Sequence, residues 1–136
     1  MSQHYDQNYS KEKITEVLRK IQDCIRKGRY TIAKNSNREE NLDFIREYNL
    51  MSKRQRQILL QIKPEDFCYS LQNKNIGFEH ETLYVYCPQV RLFNFDNEEK
   101  RVDLYIKFNI VENKAGYLVI VVSFHERNKP IDYCFR

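Results

Sequence analysis

Apolar positions follow two different periods along this chain. Ile14, Val17, Leu18, Ile21 and Ile25 recur at steps of three and four, the spacing of one buried helix face. Ser10 suits the N-cap and Gly28 stands where a left-handed residue ends a helix, so a first helix is predicted from about Lys11 to Lys27. A second is predicted to open at Asn37, with Glu40 three residues on as in a capping box. Its apolar side is Leu42, Phe44, Ile45 and Tyr48, and it ends near Asn49. Ser52 and Gln55 repeat the capping pattern ahead of Ile58, Leu59 and Ile62, giving a third helix whose exposed face carries Lys53, Arg54 and Arg56. Pro64, followed by Glu65 and Asp66, suits the first turn of a short helix reaching about Leu71.

Beyond Gly77 the period changes to two. Leu83, Val85 and Cys87 alternate with Tyr84, Tyr86 and Pro88, and Val102, Leu104, Ile106, Phe108 and Ile110 alternate with Asp103, Tyr105, Lys107 and Asn109. Tyr117 to Phe124 is a nearly continuous β-branched and aromatic run, joined to the preceding strand by the turn residues of Glu112 to Gly116. Helices first and an antiparallel meander afterwards predict an α+β fold, with the N-terminal helices packed on one face of a C-terminal antiparallel sheet. Residues 1–9 read as a flexible tail and 10–136 as a single domain.

Composition narrows the class. The 136 residues are 41% hydrophobic and 31% charged, with a net charge of +4 and few Gly or Pro, which excludes a disordered chain. No stretch approaches the ~18 apolar residues of a membrane span, so no membrane association and a cytoplasmic location are expected. Cys24, Cys68, Cys87 and Cys134 lack C-x-x-C spacing and read as free thiols, with no metal site signalled. Basic residues crowd the first half of the chain, from Lys11 to Lys63.

Alternation places Asp103, Tyr105, Lys107 and Asn109 on the sheet face opposite the helices. On the next strand Leu118, Ile120, Val122 and Phe124 are expected inward, and Ser123, His125 and Arg127 outward. A phenol, two cations and an imidazole on one rigid face are suited to bind a phosphodiester and move protons. Tyr84 and Tyr86 read as packing or edge residues, or, beside cations, as a stacking platform for bases, and Lys53, Arg54 and Arg56 as the solvated side of a helix or as phosphate contacts.

Four motifs in order then carry a resemblance. They are Asp66-Phe67-Cys68-Tyr69-Ser70-Leu71, Val85-Tyr86-Cys87-Pro88, Leu104-Tyr105-Ile106-Lys107, and the run from Leu118 to Glu126. This order resembles the MqsR family of toxins, within the RelE-like superfamily, from about Ile14 to Arg127. The resemblance implies a metal-independent endoribonuclease that cuts mRNA, uses no cofactor and has RNA and a cognate antitoxin as partners. Tyr105 stands where that family has a functional tyrosine and His125 where it has a functional lysine. Tyr69 replaces a family lysine and Leu83 a family glutamine, and the acidic stretch Phe93 to Lys100 lengthens a loop. Catalytic roles are thus expected for His125, Tyr105 and Lys107, and RNA contacts for Arg127, Tyr86, Lys53, Arg54 and Arg56. The alternative is a catalytically inactive, toxin-like binding module that recognises RNA, a nucleoprotein or a protein partner.

Overall fold

The computed structural model describes residues 5–34 and 38–136. Helix α1 spans Lys11–Arg26, and its five periodic apolar residues are all buried. Ser10 caps it, Oγ accepting from the Lys13 amide at 3.1 Å, and Gly28 at φ 74° lets the chain turn into strand β1, Tyr30–Ile32. Helices α2 (Glu39–Glu47) and α3 (Ser52–Leu60) follow. The expected cap at Asn37 lies outside the described residues. At α3 the capping pattern is used differently: Ser52 makes no capping bond, and the buried Gln55 amide instead donates to the Leu50 carbonyl at 2.7 Å, tying down the α2–α3 connection.

The short helix expected from Pro64 to Leu71 is a single 3₁₀ turn, Pro64–Asp66, followed by strand β2, Phe67–Gln72. Proline and two acids do start a helical turn here. The next five residues are all buried, however, and they pair with strand β3, Thr82–Tyr86. Strand β4 (Gln89–Phe93) continues β3 along the same edge of β5 (Glu99–Asn113), in unbroken register across Cys87-Pro88. A hairpin connects β5 to β6, Gly116–Glu126.

The sheet order is β1-β6-β5-β3-β2, with β4 also paired to β5. It is not wholly a meander: β1 pairs parallel to β6, because the chain passes through α2 and α3 before it re-enters the sheet.

Helices cover one sheet face. Ile14, Ile21, Ile25, Phe44, Ile58 and Leu59 enclose Leu104, Ile106, Phe108, Val119, Val121 and Phe124 in the main core. On β6 the expected alternation fails at Val122, an extra residue between the pairs Lys107–Ser123 and Phe108–Val121. This bulge reverses the parity of everything before it, so Val119 and Val121 point to the helices, whereas Leu118, Ile120 and Val122 are only half-buried. Asn41, fully buried on α2, accommodates the bulge. Its amide donates to the carbonyls of Val122 (3.0 Å) and Ala33 (2.9 Å), and its Oδ1 accepts from the Phe124 amide at 2.8 Å.

The opposite face carries a second core of Cys68, Tyr69, Leu71, Leu83, Val85, Cys87 and Tyr105, against which Ile131 and Tyr133 pack. Its cover contains no helix. Tyr5 to Tyr9 lie against β2, where Asp6 and Ser70 exchange two backbone hydrogen bonds of 2.9 and 2.8 Å. Ile131 and Tyr133 lie across the same face, and Cys134 and Phe135 then turn to the main core, the segment being anchored by Arg136 to the Asp66 carboxylate at 2.8 Å and by the Cys134 amide to the Phe67 carbonyl at 3.0 Å.

Candidate functional site

Strands β5 and β6 set Tyr105 opposite His125 and Lys107 opposite Ser123 on the face away from the helices. The two rings stack, centroids 5.6 Å apart and planes within 20°. Tyr105 was expected in solvent and is 3% exposed. Alternation correctly takes it out of the helix core, but the second core covers it, and its hydroxyl lies 3.1 Å from that of Tyr69. Burial raises both phenols, Tyr69 to about 12 and Tyr105 further, since Tyr105 also gives up its hydrogen bond on ionising. Both stay protonated at physiological pH. Tyr105 therefore shapes the floor beneath His125.

His125 is half-buried, and its Nδ1 lies 2.9 Å from the Glu126 carbonyl. A carbonyl only accepts, so Nδ1 carries the hydrogen of the neutral ring and Nε2 keeps its lone pair. The Glu40 carboxylate, held by the Asn128 amide at 3.0 Å, stands 3.8 Å from Nδ1.

Lys107 is half-buried beside this pair. Burial, together with the neighbouring charges of Lys129 and Arg38, lowers its ammonium from the ordinary 10.5 to about 8. Lys129 Nζ lies 5.1 Å over the Tyr105 ring and 5.7 Å over Tyr5, and Lys107 Nζ lies 5.9 Å over Tyr105. Two lysines, an imidazole and a protonated phenol floor thus meet on one face, and the charge of Arg38 reaches Lys107. Such a patch can hold an anion and move a proton near neutral pH.

Of the remaining expected residues, Arg127 adjoins this face and the others lie in the main core or on the helix layer. Tyr86 is fully buried in the main core against Phe67 and Phe108, because its parity on β3 points to the helices; it cannot be a stacking surface. Arg127 pairs with Asp103 at 3.3 Å and donates to the Lys129 carbonyl at 3.1 Å, bracing the segment that carries Lys129. Lys53, Arg54 and Arg56 are on α3, in the helix layer and thus on the far side of the sheet. Arg54 and Arg56 donate to the carbonyls of Arg91 and Arg26. Sequence reasoning missed Arg38, Glu40, Asn128 and Lys129. Glu40 carried a signal, but one read as a helix cap.

Comparison with family models, curated proteins and solved structures finds no match. Among the described residues no helix is long and apolar enough to cross a membrane, and no group of three His, Cys, Asp or Glu is placed to hold a metal ion.

Proposed function

We propose that this protein is a metal-independent endoribonuclease of the toxin type, cutting RNA at the face formed by His125 and Lys107. The observation that carries the reading is the placing of the His125 imidazole, its Nδ1 turned to the Glu126 carbonyl, on the same sheet face as a half-buried Lys107 lowered to about 8, with Lys129 beside them. RNA supplies its own nucleophile, so a protein need add only a base, an acid and positive charge. His125 Nε2 takes the proton of the 2′-hydroxyl as that oxygen bonds to the adjacent phosphorus. The bond from phosphorus to the 5′-oxygen breaks, and Lys107 gives that oxygen a proton. The products are a 2′,3′-cyclic phosphate and a 5′-hydroxyl. Glu40 steadies the imidazolium, Lys129 and Arg38 offset the charge gathering on the phosphorane, and Tyr105 acts through His125 by stacking beneath it. The resemblance to the MqsR toxins agrees with this chemistry and adds a cognate antitoxin and a cytoplasmic location to the proposal.

Purified protein incubated with single-stranded RNA in EDTA tests it. Cleavage leaving cyclic phosphate ends is expected, reduced about 10²-fold or more by His125→Ala with the fold intact. Full activity in that variant discards the mechanism. Tight RNA binding without cleavage by the wild type favours the non-cutting alternative, which the replacement of the family's lysine and glutamine by Tyr69 and Leu83 also suggests.

A further inference from the structure

Beside the His125–Lys107 face lies a pocket of about 280 Å³, lined by Tyr5, Gln7, Tyr69 and the segment Pro130 to Asp132. That volume is close to the lower bound of ~300 Å³ for small-molecule sites and suits one flat ring system. The walls are aromatic: the Tyr5 and Tyr69 rings stand 4.3 Å apart, and Tyr69 is almost wholly buried while Tyr5 remains 45% exposed. The pocket is also braced. Gln7 donates from one amide nitrogen to the Cys68 carbonyl at 2.9 Å and to the Asp132 carbonyl at 3.1 Å, joining its two sides. Lys129 lies over both Tyr5 and Tyr105, so a cation stands between the pocket and the His125 face.

An exposed aromatic ring beside a cation is what an unpaired base and its phosphate require of a protein. A folded peptide partner would need a larger apolar surface than this pocket offers. We propose that this pocket takes one unpaired nucleobase of single-stranded RNA, stacked on Tyr5, with the adjoining phosphate against Lys129. The proposal rests on the RNA-cutting reading of the neighbouring face and deepens it: it adds a subsite, built on Tyr69 by the segments that carry Tyr5, Gln7 and Pro130 to Asp132, which sets where on the strand the cut falls.

The test measures equilibrium binding of an uncleavable 2′-O-methyl oligonucleotide and of the same strand with a single abasic residue moved through each position. Wild type, Tyr5→Ala and Tyr5→Phe are compared. One abasic position is expected to weaken wild-type binding about 10-fold. The same substitution should cost Tyr5→Ala less than about 2-fold, while Tyr5→Phe, which keeps the ring, should behave as the wild type. The proposal is overturned if no abasic position matters, if the loss persists in Tyr5→Ala, or if neither oligonucleotide binds and a protein partner is indicated instead. Tighter binding by Tyr5→Ala would also overturn it, showing Tyr5 to be a cover. Cleavage of the unmodified strand is read separately: a position-specific abasic loss with no cleavage keeps the subsite and discards the nuclease.

Discussion

Replacing Lys107 by methionine should make the protein more stable and less active at once. The ammonium is half-buried, and burial, with the charges of Lys129 and Arg38, lowers its pKa from 10.5 to about 8. At roughly 1.4 kcal/mol per pH unit, that drop corresponds to about 3 kcal/mol of unfavourable charge in the folded state. Solvent reaching the half-buried group reduces the realised cost to about 2 kcal/mol. The sign follows from proton counting. Between pH 8 and 10.5 the unfolded chain holds a proton on this lysine that the folded chain has released, so the wild type gains stability as pH rises through that window. Below pH 8 both states are protonated and the full cost is present. Lys107→Met keeps most of the side chain's length and removes the charge. Urea denaturation should show a gain of about 2 kcal/mol at pH 7, shrinking to less than half by pH 9.5. RNA cleavage by the same variant should fall at least about 10²-fold. A variant no more stable than the wild type, or one whose gain is the same at pH 7 and pH 9.5, would refute the claim that burial and neighbouring cations depress this lysine.

Tyr105→Phe, which loses only the contact with the Tyr69 hydroxyl, should cost about 1 kcal/mol and leave cleavage within a few-fold; Tyr105→Ala should cost about 3 kcal/mol or more and lower turnover about 10-fold by freeing His125. Thermal or urea unfolding with parallel kinetics separates the two. Asn41→Ala leaves the Val122 and Ala33 carbonyls and the Phe124 amide without their partner, and a loss of about 3 kcal/mol in urea unfolding is expected. Joint replacement of Lys53, Arg54 and Arg56 by Ser should leave the salt dependence of RNA binding unchanged, since α3 lies across the sheet from Lys107; a shallower slope would place the RNA on the helix layer.

The sequence was most legible where one face of an element meets one core. The α1 stripe and the Val102 to Phe108 alternation are of this kind, and each predicts its element and its buried face. It was less legible where burial comes from both sides. Phe67–Gln72 has no alternation to betray it as a strand, because both its faces are covered, and Pro64-Glu65-Asp66 in front supplies a true helical start. The Val122 bulge inserts one residue without a glycine to mark it, and its stabilising partner Asn41 is distant in sequence. For Tyr105 alternation predicts the face but not its burial there. The second core around it is completed by Tyr5, Lys129, Ile131 and Tyr133, from segments that have no period of their own. The site was legible only in part for the same reason: His125 and Lys107 share a strand pattern, but Glu40, Arg38 and Lys129 reach them from loops and a helix start.

The contact between Gln7 and Asp132 spans 125 positions of sequence. It sets an order of events during folding. Helix α1, the α2–α3 connection and the β5–β6 hairpin form from neighbours in the chain, whereas the second core closes only when two segments from opposite ends of the fold meet over it. That cover should be the last part to form and the first to open, by local unfolding that leaves the main core intact. During synthesis on a ribosome, Tyr69 and Tyr105 are made well before the segment that covers them. Until Ile131 and Tyr133 emerge, the nascent chain presents an uncovered aromatic floor on the face that carries His125 and Lys107.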